Sequence, residues 1–294
     1  MPSVSARALL DVVKLSAEFL EKKGVEDARL NAERLVAHAL NCDRLALYLE
    51  FDRPLSEGEL DAIRQLVARR GRREPLQHIL GRQPFRELDL KVTAATLVPR
   101  PETEEVVEAA LAQLDRIAAR GIAPTVLDLG TGSGCIALSV ARERPGTRVL
   151  AVDVSAAALE VARENGLAAG LADVAFFEGD LFAPVTGQGP FHLIVSNPPY
   201  LTPEEWDGAA PEVKNFDPEG ALVGGADGLA LYRRIFAEGR PLLAPGGAVV
   251  VEIGMSQGEA VAAIANKESF ERVTVARDLA GRDRIVCAIL GEDS

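Results

Sequence analysis

From Thr125 onward, short apolar segments alternate with amphipathic segments, and this alternation restricts the fold more than any other feature of the sequence. Seven apolar segments are expected to form strands, with four helices between them. Alternation at this spacing predicts a mainly parallel sheet covered by helices on both faces. Residues 277–283 are too short for a parallel crossover, so the last two strands are expected to be antiparallel. The expected strands are 125–129, 147–152, 174–178, 191–196, 247–253, 271–276 and 284–290, and the expected helices are 134–143, 155–168, 228–239 and 256–267.

The chain before this region has a different period. Apolar side chains recur every three or four residues, as in amphipathic helices, and Ser56 precedes Glu59 at the spacing of a capping box. The sequence therefore predicts a helical bundle over residues 1–75, a hairpin-like connector over 76–100 and an α/β domain over 101–294. The expected helices here are 5–24, 27–41, 44–50, 56–71 and 101–120.

The charge is unevenly distributed along the chain. The 294 residues carry 44 acidic and 32 basic side chains, a net charge of −12. Thirteen of each lie within residues 1–75, which leaves 31 acidic and 19 basic side chains on the rest. A catalytic region this acidic is a poor general binder of phosphate backbones, so no direct DNA binding is expected.

One basic cluster stands out at the end of the bundle: Arg69, Arg70, Arg72 and Arg73. It has two interpretations. Cations are favourable at the carboxyl end of a helix, and a cluster of them also suits contact with an acidic or RNA-bound partner. The sequence leaves both open.

Cysteine usage and the lack of targeting signals indicate a cytoplasmic protein. Cys42, Cys135 and Cys287 are odd in number and widely spaced, which fits neither a disulfide framework nor a zinc site. Residues 1–7 lack the apolar core of a signal peptide, and no apolar run approaches membrane length. We therefore expect no metal and no membrane association.

A glycine-rich loop follows the first strand of the α/β region. Val126 to Gly134 reads VLDLGTGSG, in which Gly130, Thr131, Gly132, Ser133 and Gly134 lead from strand to helix. Glycines let the backbone approach a ligand closely, and a helix start supplies N–H groups. The G-x-G-x-G spacing differs from the dinucleotide fingerprint. Asp128 would disfavour a pyrophosphate and favour a cationic ligand that carries an amino acid.

Two further acids end the next two strands. Asp153 is placed to accept both hydroxyls of a ribose, and Asp180 to accept the amino group of an adenine. Leu181 and Phe182 can pack on the base. An adenosine site with little positive charge suits S-adenosylmethionine better than NAD or ATP.

The segment Ser196-Asn197-Pro198-Pro199-Tyr200 follows the strand at 191–196, at the edge where open α/β sheets bind ligands. Two prolines stiffen the loop and remove donors. The Asn197 side-chain oxygen and the Pro198 carbonyl remain as two acceptors at fixed spacing, and Tyr200 adds an aromatic face. This arrangement predicts a site for a planar group that bears an NH2.

Together these motifs resemble those of the class I methyltransferases, whose Rossmann-like fold has a mixed seven-stranded sheet. More narrowly, the chain resembles the protein-(glutamine-N5) methyltransferases of peptide chain release factors, the HemK/PrmC family. The segments that carry this resemblance are DLGTGSG, AVD, EGDLF and SNPPY, together with residues 97–104, 216–222, 224–229 and 280–284.

The resemblance implies S-adenosylmethionine as cofactor, S-adenosylhomocysteine as product and the glutamine of a release factor Gly-Gly-Gln loop as acceptor. It implies that the helical domain recognises this substrate and that the enzyme is a monomer. It also implies roles for individual residues. Catalysis falls to Asn197 and Pro198, substrate contacts to Asn197, Pro198, Pro199 and Tyr200, and cofactor contacts to Gly130 to Gly134, Asp153, Asp180, Leu181 and Asn197.

Two alternatives follow from the same residues. An adenine N6 amino group fits the acceptor pair as well as a glutamine amide does, which would make the chain a nucleic-acid methyltransferase. Such enzymes flip the base and need a cationic binding face. The second alternative is a protein that binds an adenosyl ligand without catalysis.

Overall fold

The computed structural model describes residues 8–278 and 280–292, and the chain divides into two compact units. The first unit comprises residues 1–81 and 210–216, and the second comprises 82–209 and 217–294. The sequence-based boundary at residue 75 thus lies six residues before the end of the first stretch. The inclusion of 210–216 was not predicted. None of the helices in the described ranges is long and apolar enough to cross a membrane.

The first unit is helical, and its apolar side chains form one core. Leu20, Leu35 and Val36 are fully buried within it. Ser56 caps the fourth helix as a capping box, since its side chain accepts from the Glu59 N–H while Glu59 accepts from the Ser56 N–H. The helices are α1 (Leu9–Lys22), α2 (Ala28–Ala39), α3 (Ala46–Leu49), α4 (Glu57–Gly71), α5 (Leu76–Leu80) and, from the later stretch, α10 (Pro211–Phe216).

The second unit contains a two-stranded antiparallel hairpin and a seven-stranded sheet. The hairpin is formed by β1 (Arg82–Phe85) and β2 (Leu88–Lys91), within the predicted connector. The strands of the large sheet are β3 (Thr125–Leu129), β4 (Arg148–Asp153), β5 (Ala175–Glu178), β6 (Phe191–Ser196), β7 (Leu243–Glu252), β8 (Arg272–Arg277) and β9 (Asp283–Ile289).

The large sheet has the strand order β5-β4-β3-β6-β7-β9-β8. The strands from β5 to β7 are parallel, and β9 pairs antiparallel with both β7 and β8. The mixed seven-stranded fold class and the antiparallel final pair are confirmed. The chain runs outward from β3 through β4 to β5 and then returns to β6 on the other side of β3. This reversal opens a crevice at the carboxyl ends of β3 and β6.

Helices and two apolar layers cover the sheet. One layer includes Phe191, Ile194 and Phe236, and the other includes Val106, Val126 and Leu193. Leu193 and Ile194 are adjacent in β6 and thus serve opposite faces, as the period of a strand requires, whereas Phe191 lies beyond a register shift between Phe191 and Leu193. The helices of this unit are α6 (Pro101–Ala118), α7 (Cys135–Glu143), α8 (Ala156–Ala168), α9 (Pro203–Asp207), α11 (Ala230–Gly239) and α12 (Gly258–Lys267).

Candidate active site

A cavity of about 360 Å³ lies at the carboxyl ends of β3, β4 and β6. This volume is within the range of small-molecule sites. Nine of the twelve site residues predicted from the sequence line it: Gly130, Thr131, Gly132, Ser133, Asp153, Asp180, Leu181, Asn197 and Pro199. Gly134, Pro198 and Tyr200 are not part of its wall.

The glycine loop connects β3 to α7, and Gly130 to Ser133 line the cavity. The N–H groups of Gly130 and Thr131 both donate to the Val152 carbonyl, at 2.8 and 3.0 Å. The Gly132 N–H donates to Asp153 Oδ2 at 2.8 Å. Three N–H groups that the sequence suggested for a ligand are therefore used within the protein. A loop of this kind offers a phosphate little, which agrees with the non-phosphate cofactor expected from the sequence.

Asp128 lies beneath the loop and does not line the cavity. It is fully buried, and its Oδ2 accepts from Thr131 Oγ1 at 2.6 Å and from the Ala137 N–H at 3.2 Å. Oδ1 has no hydrogen-bond partner. Burial raises the pKa of this carboxyl from 3.8 to about 7. Asp128 is therefore not placed for the direct contact with a cationic ligand that the sequence suggested. Its carboxyl instead bonds the Thr131 side chain of the glycine loop and the Ala137 N–H of α7.

Asp153 and Asp180 occupy the positions predicted for them, at the ends of β4 and β5. Asp153 Oδ1 accepts from the Ser155 N–H at 2.9 Å and Oδ2 from the Gly132 N–H, so backbone donors of two different loops fix the carboxylate. Asp180 is more exposed and forms an ion pair with Arg234 at 3.0 Å. Leu181 adopts a left-handed φ of 46°, an uncommon conformation for a branched residue and one typical of functional loops.

The segment after β6 is supported from behind by two other loops. The N–H groups of Tyr200 and Leu201 donate to the Leu222 carbonyl at 3.0 and 2.8 Å, and Gln257 Nε2 donates to the Tyr200 carbonyl at 2.9 Å. The Tyr200 ring packs against the apolar core, and burial raises the pKa of its phenol to about 12. Tyr200 is thus a structural anchor of the loop in this conformation.

Glycines at 224 and 228 allow this support. A Cβ at Gly224 would lie 2.4 Å from the Pro199 carbonyl oxygen, and a Cβ at Gly228 would lie 2.3 Å from the Tyr200 carbonyl oxygen. Neither distance is compatible with a side chain. The GGADGL segment therefore packs directly against the backbone of the Asn-Pro-Pro-Tyr loop.

Asn197 is held by a series of side-chain hydrogen bonds that we did not predict from the sequence. Its Nδ2 donates to Thr103 Oγ1 at 3.1 Å, and the Thr103 hydroxyl donates to Glu252 Oε2 at 2.7 Å. Thr103 lies in the first turn of α6, and Glu252 ends β7. Glu252 had a signal in the sequence, since it is an acid at the end of a buried strand, as Asp153 is.

Part of the cavity wall comes from Pro218, Gly220 and Ala221. Arg100 donates to Asp217 Oδ2 at 2.9 Å immediately before this segment, and burial raises the pKa of Asp217 to about 6. Arg100, Pro218 and Ala221 all line the cavity. In the described parts of the chain, no group of three or more His, Cys, Asp or Glu side chains is placed to hold a metal ion.

Comparison with known proteins places these features in a class and then in a family. A sequence model of the methyltransferase small domain matches residues 105–212, and a model of the PrmC N-terminal domain matches residues 11–81. The hMettl16 catalytic domain, solved in complex with an MAT2A 3′UTR hairpin, shares the fold with a TM-score of 0.54 at 17% identity. This match covers 77% of this chain and 82% of that one. The fold and the site define a class I methyltransferase, which uses S-adenosylmethionine.

The family follows from curated relatives. The release factor glutamine methyltransferase of Geobacter sulfurreducens is 45% identical over 93% of this chain and 93% of its own. The protein of the same name from Xylella fastidiosa strain 9a5c is 43% identical over 87% of this chain and 91% of its own. The chain belongs to the release factor glutamine methyltransferase family.

Proposed function

We propose that this enzyme transfers the methyl group of S-adenosylmethionine to the side-chain amide nitrogen (N5) of the glutamine in the Gly-Gly-Gln motif of peptide chain release factors. S-adenosylhomocysteine is the second product. One observation carries the proposal: the glycine loop and Asn197 line the same cavity. A cofactor on the loop and an acceptor amide at Asn197 therefore share one cavity. Family membership selects the glutamine amide among the planar NH2 groups that the site accommodates.

The cofactor half of the cavity suits an adenosyl ligand with positive charge. Asp153 is the partner for the ribose hydroxyls, Asp180 for the adenine amino group, and Leu181 for the face of the base. Gly130 to Ser133 and Asn197 surround the methionine portion, and Gly134, outside the cavity wall, caps the start of α7. The buried Asp128 carboxyl lies beneath the glycine loop, and its ionised form, present above its pKa of about 7, adds negative potential near this part of the cavity. When bound, the cofactor supplies an electrophilic methyl group on a sulfonium.

Asn197 and Pro198 are the groups that act on the acceptor. A carboxamide nitrogen is a poor nucleophile because its lone pair is delocalised into the carbonyl. The Asn197 side-chain oxygen and the Pro198 carbonyl hold the two amide hydrogens and aim the nitrogen at the methyl group, while Pro199 and Tyr200 fix the loop. As the nitrogen gains positive charge, both acceptors bind it more strongly than in the ground state, and this difference accelerates the reaction.

Proton removal can follow methyl transfer. The methylated nitrogen is cationic and acidic, so no side chain has to remove a proton beforehand. Positioning of the two reactants in one cavity supplies much of the remaining rate enhancement.

The helical unit is the part we assign to recognition of the release factor, and we expect the enzyme to act as a cytoplasmic monomer. The acidic second unit disfavours a nucleic-acid substrate. Three of the four clustered arginines are engaged inside the helical unit: Arg69 with Glu74, and Arg70 and Arg73 with Glu212. Arg72 is exposed. The ion pairs favour a structural role for most of this cluster.

The proposal is tested by incubating the enzyme with a release factor and isotopically labelled S-adenosylmethionine, followed by mass mapping of the peptides. We expect one methyl group on the glutamine of the Gly-Gly-Gln loop and none on a Gln→Ala release factor. An adenine-containing oligonucleotide is the parallel substrate. Label on the oligonucleotide, or on another residue of the release factor, would overturn the proposed acceptor.

A further inference from the structure

The Asn197 amide has two different ends, and only one of them suits the proposed reaction. Its oxygen accepts from the NH2 of a substrate, whereas its own NH2 would oppose that NH2. Rotation of the amide by 180° exchanges the two ends with little change in shape. Some feature of the protein therefore has to fix which end faces the acceptor. The proposed function depends on this choice.

The side chains behind Asn197 make that choice. A hydroxyl group has one hydrogen to donate. The Thr103 hydroxyl donates its hydrogen to Glu252 Oε2 at 2.7 Å, so only its lone pairs remain for Asn197. Asn197 accordingly presents Nδ2 to Thr103 at 3.1 Å, and its oxygen is directed away from Thr103. Thr103 and Glu252 are both 2% exposed, so water does not compete for these bonds.

We infer that Thr103 and Glu252 are positioning residues, which orient the Asn197 amide so that its oxygen faces the acceptor nitrogen. The inference rests on the proposed function of Asn197. The hydrogen bonds run from Asn197 through Thr103 to Glu252 only if Glu252 is purely an acceptor, which holds for its carboxylate form. A protonated Glu252 can donate to Thr103, which frees the threonine hydrogen for the Asn197 oxygen and reverses the amide.

The surroundings of Glu252 place this reversal near neutral pH. Burial raises the pKa of Glu252 to about 7, against the hydrogen bond from Thr103, which lowers it. The amide therefore has the productive orientation above that pH and loses it below. The titratable groups that face Glu252 are Arg284 from β9, Arg100 and Glu102 at the start of α6, Cys135 from α7, Tyr200 from the loop after β6 and Tyr232 from α11.

A matched pair of variants at one position separates orientation from packing. Thr103→Val keeps the branched shape and loses the hydroxyl, while Thr103→Ser keeps the hydroxyl and loses a methyl group. We measure kcat and KM for a release factor, the Kd for S-adenosylhomocysteine and the melting temperature of each. We expect a fall in kcat of roughly 10- to 100-fold for valine at unchanged cofactor Kd, and recovery of most of that loss by serine. Equal kcat for valine and wild type, or equal losses for valine and serine, would overturn the inference.

Glu252→Gln tests the direction of the hydrogen bonds that run from Asn197 through Thr103 to Glu252. A glutamine can donate or accept, so it no longer specifies the amide orientation, and it does not titrate. We expect a lower kcat and loss of the activity step that the wild type shows as pH rises through 7. An unchanged pH profile would contradict the inference.

The side-chain NH2 resonance of Asn197 provides a readout without turnover. In protein selectively labelled with ¹⁵N-asparagine, we expect hydrogen-exchange protection of this NH2 in wild type and Thr103→Ser, and loss of protection in Thr103→Val. Identical exchange in all three would overturn the orientation. A wild type that fails to methylate the release factor, yet shows this protection pattern, would reject the proposed function and leave the orientation intact.

Discussion

At the scale of single residues, the proposed mechanism gives Asn197 the most specific role, because its side-chain oxygen would bind the acceptor nitrogen more strongly as positive charge develops on that nitrogen. An interaction made more strongly in the transition state affects kcat more than binding. The cavity proposed for the cofactor, by contrast, is also lined by Gly130 to Ser133, Asp153 and Leu181. Turnover and cofactor binding should therefore respond differently to changes at this position.

We predict that Asn197→Ala loses turnover by roughly 100- to 1000-fold, the range seen when one stabilising hydrogen-bond partner is removed from an active site. Calorimetry should give a Kd for S-adenosylhomocysteine within a few-fold of wild type. Asn266→Ala, at an exposed position of α12, is the matched control and should behave as wild type. Normal turnover of Asn197→Ala would exclude the mechanism.

A second prediction at the residue scale concerns the effect of Asp128 on how folding stability depends on pH. Its pKa is about 7 when folded and near 3.8 otherwise, so between these values the folded protein keeps a proton that the unfolded chain releases. Stability from this group is present at low pH and falls as pH rises toward 7. Carboxyls with lowered pKa, such as Glu59 and Asp227 at about 2, are ionised in both states above pH 5 and add no slope there.

We therefore predict that Asp128→Asn removes a pH-dependent loss of stability. Wild type should lose about 2 kcal/mol more than the variant between pH 5 and pH 8, as measured by urea unfolding of the second unit. Asp173→Asn, at an exposed position of the same unit, should follow wild type. Parallel pH curves for wild type and Asp128→Asn would contradict the buried, uncompensated state of this carboxyl.

At the scale of elements, the Asn-Pro-Pro-Tyr loop depends on neighbours that are distant in sequence. The segment at 224–228 lies against its backbone, and Gln257 links Tyr200 to α12. A displacement of about 1 Å at a catalytic group is enough to reduce the rate about 100-fold. The rigidity of the loop therefore comes from these contacts as well as from its two prolines.

Gly224→Ala tests this support. Its Cβ would lie 2.4 Å from the Pro199 carbonyl oxygen, so the loop has to move. We predict a 10- to 100-fold fall in kcat with a cofactor Kd close to wild type. Gly58→Ala is the control, since a Cβ there meets nothing within 4 Å and the position lies in α4. Equal kcat for both variants would show that the loop does not need this close approach.

Local pattern was enough to predict most elements. The strands β3 and β6 match the expected 125–129 and 191–196, because each is an apolar run ended by glycine or proline. The start of β7 at Leu243 was missed, since its first residues read as a Pro-Gly-Gly turn. Helices α5, α9 and α10 were missed because five or six residues are too few to show a period, although Thr202 and Glu205 form a capping box before α9.

The candidate site was predictable where its residues follow strands, because parallel strands bring their carboxyl ends together. The partners of those residues were not. Thr103 and Asn197 are 94 positions apart, and Thr103 and Glu252 are 149 apart. Hydrogen bonds over such separations depend on strand order and helix placement, which a single sequence pattern does not encode.

At the scale of the whole molecule, the first unit is built from two separate stretches of chain. Glu212 connects the second stretch to the first through Arg70 at 3.1 Å and Arg73 at 2.6 Å. Arg70 also donates to Asn31 Oδ1 at 2.8 Å and is 7% exposed. Removing the carboxylate leaves a guanidinium buried without its ionic partner, which is costly.

We predict that Glu212→Gln destabilises this unit by on the order of 2 kcal/mol and speeds backbone hydrogen exchange in 211–216. Asp61→Asn, which removes a surface pair with Arg64, is the control and should cost well under 1 kcal/mol. Unchanged exchange in 211–216 of Glu212→Gln would show that other contacts hold this stretch.

The central claim is that two fixed oxygens hold an uncharged amide beside the methyl donor. The most direct measurement is a crystal structure of the enzyme with S-adenosylhomocysteine and a release factor that carries its Gly-Gly-Gln loop. The account predicts that the glutamine side-chain nitrogen lies 2.7 to 3.2 Å from both Asn197 Oδ1 and the Pro198 carbonyl oxygen, facing the sulfur. A glutamine nitrogen held by other groups, with residues 197–200 turned away from the sulfur, would contradict it.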